Sequence, residues 1–154
     1  MEFIHNTFAL NNQNYLIMKK ILISLFAVMQ LFATNAQEKN QKIIIDVTST
    51  DNKVYQSILL TLDLMTSENA NTKLDVIVYG EAVPMLMKNQ SIVAQQIVKY
   101  ATNKNVQFSA CEISMKLFNI KKEQLLTGVT TVNNAVSEII KKQNLGWGYI
   151  KSGN

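Results

Sequence analysis

Few residues in this chain could do chemistry. Cys111 is the only cysteine, in the stretch VQFSACEISMKLFNI, residues 106–120. There an apolar run, Val106 to Ala110, gives way to a helix-like pattern, so the thiol is expected at or just before a helix N-terminus. Free backbone N–H groups and the helix dipole at such a place favour the thiolate, which is the nucleophilic form. Glu112 pushes the other way, because an adjacent carboxylate disfavours a second negative charge. The residue types leave the outcome open. They also leave open the plainer role of a lone cysteine, a small buried hydrophobe.

Other chemistries lack their residues. The one histidine, His5, lies in the first seventeen residues, ahead of the expected signal peptide, so the expected mature chain has none. Neither a Ser-His-Asp triad nor a Cys-His pair can therefore be assembled around Cys111. The usual zinc ligand sets are missing for the same reason, and no metal or cofactor is implied. YGEAV, residues 79–83, has one glycine and no Lys-Ser/Thr, so it is not a phosphate loop. All 15 basic residues are lysines and the net charge is a mild +4. Without arginine or a dense basic stripe there is no footprint for specific nucleic-acid binding.

The elements that must position Cys111 follow from periodicity. KIIIDVT (42–48) and KLDVIVYG (73–80) are β-branched runs of the kind buried on both faces of a sheet, and VQFSA (106–110) is a third. Asp51 and Asn52 offer an N-cap to a helix carrying Val54, Ile58, Leu62 and Met65 at helical spacing. Asn89 or Ser91 can cap a helix with Ile92, Val93, Ile97 and Tyr100 on one side. A third helix is expected from Cys111 through Phe118, with Asn119 as its stop. VTTV (129–132) reads as a short strand, and Asn133 or Asn134 caps a last helix. WGYIKS (147–152) reads as an edge strand, with LGWGYI serving turn and aromatic packing. Strand and helix alternate throughout, which predicts an α/β domain: a mostly parallel sheet of about five strands with helices on both faces.

In such a sheet ligands bind at the carboxyl ends of the strands. Thr48 to Asp51, Tyr79 to Pro84 and Ser109 to Glu112 reach that edge. Cys111 is the candidate catalytic residue, with Tyr79, Gly80, Glu81, Ser109 and Glu112 as candidate binding residues beside it. The apolar segment AVPMLM (82–87) has two readings: a contact surface between copies of the chain, walling the thiol's pocket, or a cap on the domain's own core.

The N-terminus is set apart. From Met18, two lysines precede an apolar run, Ile21 to Ala33, and then Thr34-Asn35-Ala36. This is the three-part order of a secretory signal peptide, and the run falls short of the roughly 20 residues of a membrane span. Residues 1–17 fit poorly as the start of a signal and read as an upstream extension, leaving residues 37–154 as the domain. The expected location is periplasmic or secreted. No cysteine near Ala36 supports lipid anchoring.

The segments DVIVYGEAVPMLMKN, VQFSACEISMKLFNIKKEQLL and TTVNNAVSEIIKKQNLGWGYIK, with the first strand KIIIDV, together resemble the DsrE/DsrF-like sulfur-relay superfamily. More closely, the chain resembles the exported single-domain members. The resemblance spans about residues 42–151. It implies a three-layer α/β sandwich, assembly as homotrimers or homohexamers, and a cysteine after a central strand that carries a persulfide and passes sulfur to a partner. Cys111 falls at that place. The chain departs from the relay members in its export signal and in having Phe118-Asn119 where Arg-Gly often follows the cysteine's helix.

Three readings of the thiol follow: a sulfur carrier, an inert buried cysteine in an oligomeric ligand-binding or protein-binding module, or an intermolecular disulfide in an oxidising compartment. Protein recovered from the source cells is expected to begin at or near Gln37 by N-terminal sequencing. A chain retaining Met18 to Ala36 contradicts export.

Overall fold

The computed structural model describes residues 18–20 and 40–153. The chain divides into two units, residues 1–39 and 40–154. In the first, residues 18–20 are helical; the rest of the signal-like segment and the upstream extension lie outside the described residues. Among the described residues no helix is long and apolar enough to cross a membrane.

The second unit contains β1 (Lys42–Val47), α1 (Asn52–Glu68), β2 (Lys73–Val78), a 3₁₀ segment (Gly80–Leu86), α2 (Ala94–Ala101), β3 (Val106–Cys111), α3 (Glu112–Leu117), a second 3₁₀ turn (Lys122–Gln124), β4 (Thr130–Val132), α4 (Ala135–Asn144) and β5 (Gly148–Ser152). All five strands are parallel, in the order β4-β3-β2-β1-β5. The three apolar strands stand together at the centre, as their continuous hydrophobic runs require. Asp51 caps α1, its carboxylate accepting the Lys53 N–H at 2.8 Å. Asn134 caps α4, accepting the Ser137 N–H at 3.2 Å. Asn119 stands in the left-handed conformation, φ 55°, just beyond α3. The cap expected at Asn89 or Ser91 is displaced: α2 starts at Ala94 after Val93, with no side-chain cap. The Ser91 hydroxyl instead accepts the Val93 N–H one turn earlier.

Strand order decides which face each helix covers. From β1 to β4 the chain steps in one direction across the sheet, and right-handed crossovers keep those connections on one side. The return from β4 to β5 runs the opposite way and puts α4 on the other side. The packing follows this division. Ile45, Val47, Leu74, Val76, Val78, Phe108 and Ala110 form the main core with α1, the first 3₁₀ segment, Ile97 of α2 and Met115 of α3. On the other face Ile44, Ile77 and Cys111 pack against Ala135 and Ile139 of α4, with Tyr79, Val132 and Trp147 around them.

AVPMLM lies in the main core, which corrects the contact-surface reading. Ala82, Val83, Met85 and Leu86 are inaccessible to solvent, and Met87 is nearly so. Later chain lies across the segment: the Leu126 N–H donates to the Leu86 carbonyl and the Lys88 N–H to that of Gln124, each at 2.9 Å. Local spacing makes 82–87 look too short to bury itself; the cover comes from residues some forty positions on.

The second face is polar for a buried surface. Asp75 is fully buried there, paired with Lys142 of α4 and accepting the Ser109 hydroxyl at 2.9 Å. Gln107 donates to Ser109 at 3.0 Å and to Thr130 at 3.1 Å, and the Lys142 ammonium sits 4.5 Å from the centre of the Trp147 ring. Burial holds the Asp75 carboxyl above its ordinary range, although Lys142 and Ser109 pull it down. The pair fastens α4 to the middle of the sheet, and removing one partner strands the other in a poorly solvated site. Asp75→Ala is expected to cost about 3 kcal/mol in urea unfolding, with most of that recovered when Lys142 is also replaced by leucine. Equal losses in the single and double variants would show that the pair is not the fastening.

Candidate functional site

Cys111 is both the last residue of β3 and the N-cap of α3, with extended backbone (φ −76°, ψ 120°). The strand thus runs one residue beyond the expected 106–110, and the sulfur lies on the face covered by α4. Ala135, the first residue of α4, is buried against it. The thiol therefore sits where two helices begin. It is 4% exposed.

Burial pushes the thiol's pKa up, but the backbone N–H groups of Ser114, Ala135 and Ile113, with the Ser114 hydroxyl, outweigh it and bring the thiol below its ordinary value. Cys111 makes no regular side-chain capping bond to α3, so these groups act chiefly as aimed dipoles. Those of α3 and α4 belong to unsatisfied first turns, where partial positive charge collects.

Glu112 does not oppose this. Its carboxylate takes the Lys122 ammonium at 2.8 Å and the Thr131 hydroxyl at 2.7 Å. Lys122 and Thr131 hold it below the usual carboxylate range. Its charge is committed away from the sulfur, which answers what the sequence left open.

The other candidate residues divide. Gly80 has a positive φ of 61° and donates its N–H to the Ser114 hydroxyl at 2.8 Å, which links the end of β2 to α3. Tyr79 packs in the cluster that holds Cys111, and its phenol donates to Asp46 at 3.3 Å. Burial, then Asp46, then Cys111 raise the phenol's pKa. Ser109 shares the face of Cys111 two residues earlier, but its hydroxyl belongs to the Asp75 network. Glu81 is exposed and lines a cleft of about 330 Å³ with Pro84, Phe118 and Asn119, at the far end of α3. Cys111 does not line that cleft.

The sequence reading passed over several residues. Ser114 is three positions after Cys111, the spacing at which a side chain in the first turn reaches back to its cap. Asp46 is the one acid in the first apolar strand, itself a signal that partners must exist. They are Tyr149 at 2.5 Å, Lys151 at 3.1 Å and Tyr79, and Lys151 also donates to Thr48 at 2.8 Å. The hydrogen bond to Asp46 pushes the Tyr149 phenol up to about 12. The cluster fastens edge strand β5 to β1 and fixes the Tyr79 ring beside the thiol.

A parallel sheet in the order 4-3-2-1-5, with one helix on its second face and a thiol at the end of β3, defines the class: a single-sheet α/β sandwich with its candidate chemistry at the strand ends. The chain belongs to the DsrE/DsrF-like family, whose model matches residues 41–151. Comparison with curated proteins gives no match. Among solved structures it is similar to MTH1491 from Methanobacterium thermoautotrophicum, a protein of unknown function, with a TM-score of 0.68, 20% identity, and 72% of this chain and 98% of that one covered. It is also similar to YchN from E. coli, with a TM-score of 0.59, 18% identity and coverage of 72% and 98%. The protein of unknown function BT1422 from Bacteroides thetaiotaomicron gives a TM-score of 0.57 at 16% identity, with coverage of 76% and 99%. At these identities the likeness is one of fold.

The ultraviolet absorbance of the thiolate, titrated against pH with Cys111→Ser as the blank, is expected to rise with a midpoint below that of the same protein unfolded in urea. A folded midpoint at or above the unfolded one would mean that burial wins.

Proposed function

We propose that this protein carries sulfur on Cys111 as a persulfide. One observation carries the reading: a nearly buried thiol whose surroundings favour its anion. A cysteine that serves only as a small hydrophobe gains nothing from two converging helix starts, and burial alone would raise its pKa. Burial does favour the alternative, an inert cysteine in a binding module, and the experiment below separates the two.

In the loading step the Cys111 thiolate attacks the outer sulfur of a donor R–S–SH. The new S–S bond forms as the donor's S–S bond breaks, its electron pair leaving with R–S⁻, and Cys111 holds –S–SH. In discharge an acceptor thiolate attacks that outer sulfur, and the pair from the breaking bond returns to Cys111 as a thiolate. Both steps conserve electrons and need no further oxidant. The N–H groups around the sulfur favour it as nucleophile in the first step and as leaving group in the second.

The family's association with sulfur relay supports this reading. We place the carrier outside the cytoplasm on the strength of the signal-like segment 18–36, and in a homotrimer or homohexamer. Exposed Ile113 and Leu117 of α3 and Val136 and Ile140 of α4 supply apolar surface for such an assembly. The donor is a persulfide or polysulfide and the acceptor a thiol, each able to reach the first turns of α3 and α4.

Intact mass after incubation with inorganic polysulfide tests the proposal. The wild type is expected to gain one sulfur, lost again on adding a small thiol, and Cys111→Ser to gain none. A wild-type protein that takes up no sulfur, and whose thiol resists labelling until unfolded, is an inert-cysteine module.

A further inference from the structure

Glu81 and Phe118 play no part at the thiol, and the fold brings them to one cleft. Gly80, left-handed at φ 61°, turns the chain out of β2 into the first 3₁₀ segment, whose second residue is Glu81. Asn119, left-handed at φ 55°, turns the chain back beyond α3, and its neighbours Phe118 and Ile120 line the same cleft. The cleft holds about 330 Å³. That is the low end of the range for small-molecule sites and too little for a folded partner.

Its two walls are joined at the base. Met87 pairs with Leu125 in an antiparallel bridge, the Lys88 N–H donates to the Gln124 carbonyl at 2.9 Å, and the Lys88 ammonium to that of Glu123 at 2.7 Å. The cleft is therefore built by the fold and does not wait for a ligand to shape it.

The lining has a definite chemistry. Pro84, Met87 and Ile120 are apolar, and the Phe118 ring stands 42% exposed. Glu81 is the one charged residue among those that line it. The chain has 15 lysines against 11 acids, yet no lysine lines the cleft, the reverse of its average surface. Among the described residues Glu81 joins no ion pair. Lys122, on the same side of the sheet ends, is taken by Glu112 at 2.8 Å.

We propose that this cleft is a ligand site separate from the thiol, and that it takes a small amphipathic amine. The ammonium group pairs with Glu81 beside the Phe118 ring, and the apolar body lies against Pro84, Met87 and Ile120. A carboxylate flanked by apolar surface attracts a cation more strongly than one in open water. An aromatic face adds a cation–π attraction. An anion of the same shape meets the carboxylate and is repelled. The site does not rest on the carrier reading.

The test is an NMR titration of the backbone amides of Glu81, Phe118 and Asn119 with phenethylamine. Saturable shifts are expected at millimolar concentration. Phenethyl alcohol, which keeps the apolar body, is expected to bind at least about fivefold more weakly. The anion 3-phenylpropanoate is expected to give no saturable shift. Glu81 is exposed, so Glu81→Gln removes the charge without touching the core. It is expected to weaken the amine to the level of the alcohol and to leave the alcohol unchanged. Cys111→Ser is expected to bind the amine as the wild type does. Absence of saturable shifts with phenethylamine overturns the proposal. So does equal binding of amine and alcohol, an amine indifferent to Glu81→Gln, or binding lost in Cys111→Ser. Sulfur uptake from polysulfide is read separately: a protein that gains sulfur and binds no amine keeps the carrier reading and loses this site, and one that binds the amine without gaining sulfur does the opposite.

Discussion

One helix covers the second face of the sheet, and the buried pairing of Lys142 with Asp75 holds it there. The main core does not need this contact, being filled from the other side by α1, α2, α3 and the 3₁₀ segment. The thiol site does. Lys142 lies near the C-terminal end of α4, so fastening it to the middle of β2 fixes the helix's direction and sets its first turn against Cys111. A patch of apolar contacts, essentially Ala135 and Ile139 against Ile44, Ile77 and Cys111, would fix that direction less well. The ion pair adds a directional constraint, which is what such pairs supply better than net stability.

At the sulfur two effects of opposite sign compete. Removal from water disfavours the thiolate; the aimed N–H groups favour it. A charge at one helix start gains about 0.3–1 kcal/mol when exposed and up to about 2 kcal/mol when partly buried. At Cys111 burial is the largest single effect, and the N–H groups of both helix starts with the Ser114 hydroxyl together outweigh it. The removal of Glu112 to Lys122 matters for the same reason, since a free carboxylate next in sequence would cancel much of the gain. The thiol's state is therefore a property of the fold: β3 delivers the sulfur, α3 and α4 deliver their dipoles, and β2 delivers Gly80 and Tyr79.

Much of this was legible in the sequence because it depends on local pattern. The β-branched runs at 42–48, 73–80 and 106–110 marked the central strands, and the change of period at Cys111 placed the thiol at a strand-to-helix junction. Asp51 and Asn134 declared their caps through side-chain chemistry. What could not be read depends on strand order. That α4 returns over the sheet, and so which helix start meets Cys111, follows from β5 pairing with β1, and no local signal carries that pairing. The two readings of 82–87 could not be separated for the same reason, since its cover includes the chain at 124–126. Ser109 and Glu81 were grouped with the thiol because they are close in sequence to strand ends. Ser109 shares the sulfur's face but its hydroxyl is taken by Asp75, and the 3₁₀ turn carries Glu81 toward Phe118. Asp46 and Ser114 could have been found: one as an acid in an apolar strand, the other by its spacing from the cap.

The central claim is that the starts of α3 and α4 converge on one sulfur and stabilise its anion. Its most direct measurement is the pH dependence of the backbone amide protons of Ile113, Ser114 and Ala135 by NMR, with Cys111→Ser as the control. The account predicts that all three shift together with a single midpoint, that this midpoint lies below that of an unfolded cysteine, and that the transition is absent in the control. An Ala135 amide that does not sense the titration would contradict it, because α4 would then cover the sheet without contributing to the thiol.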